Sequence, residues 1–238
     1  MRLLNEILLS TLAFCLGQSL LVSANTEIVN FCVAPSVDVP LPQSSAWRRL
    51  SPDEPEQLFN VFPAPLGTAL EDVCEPEAES SFGDCPHELW LSIGTEDPAW
   101  ASYSKFTLRV SWPASSPAEF YLDTYFPESL GQLVYGRNMP GGALTRRTYA
   151  RIRVINSGVL TPSHAHRYLI LDPVSFVVAV EPLYLGVLPK SVVPTVFAIV
   201  AITTLAGWLV VPFVTKHLMA IAGQVKAEIS SGSDRKSQ

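Results

Sequence analysis

An uncharged apolar run near the C-terminal end sets the strongest limit on how this chain can fold. Residues 192–214 contain no Asp, Glu, Lys or Arg, and about 20 apolar residues in a helix cross the hydrocarbon core of a bilayer. Lys190 precedes the run, and Lys216 and His217 follow it. A buried helix of a soluble domain is the alternative, but such a helix usually has a polar face, which this run lacks. The run therefore predicts one C-terminal transmembrane α-helix.

A shorter apolar stretch lies at the N-terminus. Arg2 precedes the apolar residues 7–16, and Val22 and Ala24 then provide small or aliphatic side chains. A basic start, a short apolar core and small residues before a cleavage position are typical of a secretory signal peptide. We therefore expect residues 1–24 to be removed before Asn25. The alternative is an uncleaved N-terminal anchor.

The two apolar segments together predict a topology. A cleaved leader places residues 25–191 on the lumenal side of the membrane, and residues 215–238 then form a cytosolic tail. The tail contains four Lys or Arg and two Asp or Glu residues, and an excess of basic residues on the cytosolic side is the usual pattern. The sequence therefore predicts a single-pass type I membrane protein with most of its residues in the lumen.

Residues 25–191 have the composition of a β domain rich in loops. They contain 18 of the 20 prolines, which cannot donate a backbone hydrogen bond, and residues 35–79 are expected to be long loops around short strands. Aromatic and β-branched residues recur in six segments and predict strands, namely 27–33, 87–93, 106–112, 119–126, 149–154 and 174–180. Residues 106–112 and 149–154 also alternate apolar with polar side chains, as in strands with one solvent-exposed face. These patterns predict an all-β lumenal domain with an antiparallel, sandwich-like fold.

Charge is sparse and unevenly distributed. The chain has 16% charged residues and a net charge of −6. The negative net charge argues against nucleic-acid binding, because such proteins usually carry a basic face. Residues 51–104 include twelve acidic and no basic residues, whereas residues 129–171 include six arginines and no carboxylate. Facing patches within one domain, a patch kept for a partner and two ordinary solvated surfaces are all compatible with this asymmetry.

The cysteines predict one disulfide. Loss of Cys15 with the leader leaves Cys32, Cys74 and Cys85, an odd number for an oxidising compartment. Cys74 and Cys85 bracket a short acidic loop and are the expected pair, which makes Cys32 a buried free thiol. The alternatives pair Cys32 with either of the other two cysteines or with another chain.

Few residues are arranged for catalysis. His164 and His166 would point to the same side of an extended segment and could supply two metal ligands. Catalytic zinc usually takes three protein ligands, however, and the other lumenal histidine, His87, is remote in sequence. The chain has no Gly-X-Ser-X-Gly, P-loop or Cys-X-X-Cys motif. We expect no catalytic residue, no metal and no cofactor, and a metal-dependent lumenal hydrolase is the alternative that would need His164 and His166.

Two features of the C-terminal part concern a membrane partner and the location of the protein. Thr203 and Gly207 lie four residues apart in the apolar run, and small residues at this spacing let a second helix approach closely. Arg235 and Lys236, at the fourth and third positions from the end, resemble the dibasic retrieval signal of type I endoplasmic-reticulum proteins.

The two ends of the predicted lumenal domain resemble a known family. The mature start, Asn25-Thr26-Glu27, is followed by an apolar strand, and EPLYLGVLPKSVVP at residues 181–194 leads into the single span. Together with the proline-rich β domain, these stretches resemble the Pga-type accessory subunit of fungal GPI mannosyltransferase II. The resemblance covers most of the layout, and its specific residues are confined to these two stretches.

The resemblance implies a non-catalytic subunit in the endoplasmic-reticulum membrane. Its partner would be a multi-spanning mannosyltransferase that uses dolichol-phosphate mannose, adds the second mannose to the GPI precursor and itself carries the catalytic carboxylates. Two alternatives stay open. The same features resemble the stabilising subunit of GPI mannosyltransferase I, and a single-pass adhesion or receptor module at the cell surface would have the same topology.

Overall fold

The computed structural model describes residues 24–74, 84–136, 142–159 and 172–234. These residues form two compact units, which divide between Pro189 and Lys190. The first unit is called the β domain below, and the second is a helix. All but the last residue of the predicted signal peptide lie outside the described residues.

The β domain consists of short and long strands with one α-helix among its described residues. In chain order the elements are β1 (Ala24–Cys32), β2 (Ser36–Val37), β3 (Arg48–Leu50), β4 (Glu56–Val61), β5 (Glu88–Ile93), β6 (Lys105–Pro113), β7 (Ala118–Tyr125), α1 (Pro127–Tyr135), β8 (Leu144–Thr145), β9 (Thr148–Asn156), β10 (Val174–Tyr184) and β11 (Leu188–Pro189). The predicted β-rich character is therefore confirmed.

These strands form two larger sheets and one short strand pair. In the first sheet β6 pairs with β1 and β10, and β10 also pairs with β4 and β11. All of these pairings are antiparallel. The second sheet has the order β3, β5, β9, β7, and only its β3–β5 pairing is parallel. The remaining pair, β2 with β8, is antiparallel.

The inner faces of the two larger sheets share one hydrophobic core. Alternate residues of β6 enter it, because side chains of a strand point to opposite faces in turn. Leu108 and Val110 are fully buried and lie opposite Val180 and Val178 of β10. From the second sheet, residues such as Ile152 of β9 complete the core.

The outer face of the second sheet is also covered, which the sequence did not predict. Helix α1 begins at Pro127, a residue favoured in a first helical turn. It is capped after Tyr135 by Gly136, which has the left-handed φ of 64° typical of a helix C-cap. Its residue Leu130 is fully buried and packs with Trp90 and Tyr149 of the sheet. The prediction of a solvent-exposed face for residues 149–154 is therefore wrong, and Arg151 on that face is buried.

The register of β1 corrects the prediction that Cys32 is buried. Phe31 lies opposite Phe106, whose side chain is in the core, and Phe31 and Val33 are themselves buried. Since neighbouring side chains alternate between faces, Cys32 points outward. It is exposed and is a free thiol.

The second unit begins at Lys190 with a short 3-10 turn, Lys190–Val192, which leads into helix α2, Val193–Asp234. Within the described part of the chain, Lys190–Lys226 is one segment long and apolar enough to cross a membrane, and its most apolar window is not buried within the protein. The helix contains residues 193–214 of the predicted span and continues for about twenty residues beyond them, into the predicted tail. Pro212 lies inside it.

Candidate functional site

A buried ion pair lies next to the backbone of Cys74, one of the two disulfide-bonded cysteines. Arg151 of β9 lies opposite Trp90 of β5, two residues along the strand from Glu88, and the Arg151 Nε donates to Glu88 Oε2 at 2.6 Å. Their side chains are only 10% and 4% exposed. The Trp90 Nε1 donates to the other carboxylate oxygen at 2.8 Å, so both oxygens of Glu88 accept a hydrogen bond.

The same arginine also binds the backbone near the disulfide. An Arg151 guanidinium nitrogen donates to the carbonyl oxygen of Cys74 at 2.8 Å. Cys74 and Cys85 form a disulfide with their Cα atoms 5.7 Å apart, as the sequence analysis paired them. The residues between them at 75–83 lie outside the described part of the chain. The ion pair thus anchors one end of the disulfide loop to the sheet.

Aromatic rings surround this ion pair. Trp47 stacks on Trp90 with ring centroids 5.1 Å apart, and Tyr149 meets Trp47 edge-on at 5.5 Å. The Arg151 guanidinium lies 5.4 Å from the Trp90 ring centre, within cation–π distance. Burial raises the pKa of Tyr125, whose ring is 5.7 Å from that of Trp90. The cluster is closed and its charges are partnered, which is the arrangement of a structural network.

The acidic and arginine-rich segments meet inside the β domain. Besides the Glu88–Arg151 pair, Glu96 lies 3.3 Å from Arg147. Both pairs join a carboxylate of residues 51–104 to an arginine of residues 129–171. The sequence analysis left three explanations for the uneven charge, and these contacts agree with facing patches within one domain.

One described cavity is a groove of about 700 Å³ lined by strands β1 and β7. Within the described residues each of these strands has a neighbour on one side only, so both present an open edge. The groove is lined by residues 25–29 of β1 and 118–122 of β7, together with Trp112 and Ser157. Trp112 is 7% exposed, and its indole N–H has no hydrogen-bond partner among the described residues. Glu119 and Tyr121 are among its lining residues, and the Tyr121 hydroxyl donates to Glu119 Oε2 at 2.9 Å.

His87, which lies next to strand β5, makes a structural contact. His87 Nδ1 lies 2.9 Å from the carbonyl oxygen of Phe62. His164 and His166, the two possible metal ligands, lie outside the described residues. In the parts of the chain that the structure describes, no three His, Cys, Asp or Glu side chains come together as a metal site.

The predicted helix-contact residues lie on the exposed surface of α2. Thr203 and Gly207 are one turn apart, and the Thr203 hydroxyl donates to the carbonyl oxygen of Ile199, which satisfies it within the helix. A Cβ atom placed on Gly207 would meet nothing within 4 Å. The position is therefore open to a second helix. Arg235 and Lys236, the predicted retrieval signal, lie outside the described residues.

Sequence reasoning missed the Glu88–Arg151 pair, although a signal was present. Arg151 and Arg153 alternate with apolar residues in β9, and a charged residue at such a position is either solvated or paired. The tertiary structure decides between these outcomes, because it brings Glu88 and the Cys74 carbonyl within hydrogen-bond distance of Arg151. Comparisons of the chain with protein-family models, curated proteins and solved structures return no match.

Proposed function

We propose that this chain is a non-catalytic, stabilising subunit of GPI mannosyltransferase II in the endoplasmic-reticulum membrane. In this proposal residues 25–191 form a sandwich-like lumenal domain, residues 192–214 span the membrane and residues 215–238 form the cytosolic tail. The partner is the multi-spanning catalytic subunit that adds the second mannose to the GPI precursor.

The observation that carries the proposal is an apolar helix whose side chains are exposed among the described residues. The described side chains of α2 from Phe197 to Lys226 are exposed, and the Gly207 position has free space around it. In a bilayer, helices associate through close packing at small residues rather than through the hydrophobic effect. A helix of this kind is suited to pack against the spans of a larger membrane protein.

Two further observations agree with this assignment. The Cys74–Cys85 disulfide is of the kind that persists in oxidising compartments such as the endoplasmic-reticulum lumen. The stretch at residues 181–194, which carries the family resemblance, forms the end of β10, the strand β11 and the start of α2. It therefore joins the β domain to the helix, where an accessory subunit would connect its lumenal and membrane contacts.

Affinity purification from a mild detergent followed by mass spectrometry tests the proposal. We expect a polytopic mannosyltransferase among the recovered proteins, and depletion of this chain should accumulate GPI intermediates that lack the second mannose. Accumulation of intermediates lacking the first mannose would instead assign the chain to GPI mannosyltransferase I. Recovery of no such transferase, with unchanged GPI intermediates after depletion, would refute both assignments.

A pair of glycine variants shows whether the helix makes the contact. Gly207→Leu fills the open position within the span and should reduce recovery of the transferase about tenfold, the effect of about 1.4 kcal/mol of lost helix packing. Gly223→Leu is the matched control, because Gly223 lies in the same helix, has equally free space around it and falls outside the predicted span. Equal recovery with both variants would contradict a contact at Gly207.

A further inference from the structure

A tight turn at the end of the β domain presents apolar side chains to solvent. Strands β10 and β11 are joined by residues 185–187, and the Val187 N–H donates to the Tyr184 carbonyl at 3.1 Å to close the turn. Leu185 is 96% exposed and Val187 is 75% exposed. Two large apolar side chains at one turn, without cover from the described domain, are unusual for a soluble surface.

The backbone of this turn is also unfavourable for the residue it holds. Leu185 has a φ of 54°, in the left-handed region that side chains other than glycine, asparagine and aspartate rarely adopt. Gly186 follows with a φ of 73°, which suits glycine. A leucine held in this conformation with 96% of its surface exposed points to a requirement outside the described domain.

Neighbouring residues hold the turn in place and supply polar groups at its base. The ring of Tyr184 meets that of Tyr103 edge-on at 5.5 Å, and a hydrogen bond with Tyr184 raises the pKa of Tyr103. The aliphatic part of Lys105 lies at Gly186, where an added Cβ would be 3.1 Å from its Cδ. Tyrosine and lysine are the side chains that place an apolar body toward lipid and a polar end toward the headgroups.

Chain length fixes how far the turn can lie from the apolar helix. Val187 and the first residue of α2, Val193, are six residues apart, and six extended residues reach at most about 20 Å. The headgroup region on each side of a bilayer is about 5 to 7 Å thick. A helix that enters the membrane near Val193 therefore keeps the turn within reach of the same lipid surface.

We propose that the β10–β11 turn is a membrane-contact site, at which Leu185 and Val187 insert into the interfacial layer of the bilayer that α2 enters. Tyr184 and Lys105 lie at the headgroup level beside them. The contact requires that α2 spans the membrane, and it does not require the transferase. It fixes the end of the β domain against the lipid surface in addition to the covalent connection through residues 188–192.

Depth-dependent fluorescence quenching tests the site in the full chain. The protein is reconstituted into nanodiscs in a Cys15→Ser, Cys32→Ser background with the Cys74–Cys85 disulfide intact, and Leu185→Cys carries an environment-sensitive label. Lipids with a quencher at the upper acyl chain should reduce its emission at least threefold. Leu144→Cys is the matched control, because Leu144 is 72% exposed in the same domain but distant from the turn in sequence, and its emission should stay unchanged.

Further variants separate the turn from other causes. A label at Val187→Cys should be quenched as strongly as one at position 185, and this second position serves if Leu185→Cys does not fold. Leu185→Asn suits the positive φ and removes the apolar side chain, so it should lower the quenching at position 187 while the domain stays folded. Absent quenching at both turn positions, or equal quenching at position 144, would overturn the proposal. Neither result bears on co-purification with the transferase.

Discussion

At the scale of single residues, the buried ion pair of Glu88 and Arg151 stabilises the contact between the second sheet and Cys74. Glu88 accepts from Arg151 and from Trp90, and Arg151 also donates to the backbone of Cys74. A buried ion pair contributes little net stability compared with apolar residues, because both charges lose their hydration. Removal of one partner is costly, since the other charge is then left buried without compensation.

This cost gives a first prediction for the Arg151→Ala variant. We expect the free energy of unfolding to fall by about 3 to 5 kcal/mol, the range for breaking a buried pair. Urea denaturation followed by tryptophan fluorescence measures the loss, because Trp90 lies within the network. Proteolysis should also become faster at the disulfide loop, whose Cys74 carbonyl loses its donor.

Arg109→Ala is the control for this prediction. Arg109 lies 3.9 Å from Glu181 and its side chain is 42% exposed, and exposed ion pairs contribute at most about 1 kcal/mol. A loss of less than 1 kcal/mol for Arg151→Ala, similar to that of Arg109→Ala, would mean that Glu88 remains hydrated and that the network is not closed.

At the scale of elements, helix α1 contains a glycine whose role is steric. Gly131 is in the middle of the helix, where alanine is ordinarily more stable by about 0.5 to 1 kcal/mol. A Cβ atom at this position would lie 2.7 Å from Cγ1 of Val39, which is itself 3% exposed. Val39 is short and branched, so it has little freedom to move away.

The second prediction follows from this contact. Helix propensity alone would make the Gly131→Ala variant more stable, whereas the contact with Val39 should make it less stable. Gly131→Ala should lower the free energy of unfolding by about 1 to 2 kcal/mol, because overpacking costs about 1 to 3 kcal/mol and exceeds the propensity gain. Chemical denaturation compared with Gln132→Ala, at an exposed position of the same helix, measures the difference. The double variant Gly131→Ala, Val39→Ala should lose less than the two single losses together. A stabilised Gly131→Ala variant would show that α1 moves away from residue 39 freely.

How far the elements were predictable depends on the range of the interactions that form them. The long strands β6 and β10 were predicted, because runs of aromatic and β-branched residues favour strands wherever they pair. Helix α1 was missed, since its nine residues depend on Pro127, the Gly136 cap and burial of Leu130 more than on a repeated pattern. The parallel pairing of β3 with β5 has no local signal in three residues.

The candidate sites were likewise predictable only where they depend on residues close in sequence. The Cys74–Cys85 pairing was accessible from spacing, because the two residues are 11 positions apart around one loop. The outward direction of Cys32 could not be predicted from the sequence. Apolar residues lie on both sides of Cys32, and only the pairing of Phe31 with Phe106 fixes which face of β1 it is on. The groove between β1 and β7 depends on which strands form sheet edges, and this is a property of the whole topology.

At the scale of the whole molecule, the division into two units separates two kinds of surface. The β domain neutralises part of its uneven charge through internal pairs such as Glu96 with Arg147, whereas the exposed surface of α2 within Lys190–Lys226 is mostly apolar. A domain that satisfies its own charges can fold in water, and an apolar helix of this length is suited to a bilayer. The proposed topology assigns the two surfaces to these two environments.

The last prediction tests that topology through the exposed thiol of Cys32. In sealed endoplasmic-reticulum vesicles with a Cys15→Ser background, a membrane-impermeant maleimide should not label Cys32, because the β domain is proposed to be lumenal. Detergent should make the same thiol fully reactive, since it is exposed and lies outside the disulfide. A Cys32→Ser, Ser231→Cys variant moves the thiol to the proposed cytosolic tail and should be labelled without detergent. Residues 32 and 231 lie on either side of the proposed span, so a single span through residues 192–214 places them on opposite sides of the membrane. Labelling of Cys32 in sealed vesicles would place the β domain on the cytosolic side and exclude the type I orientation.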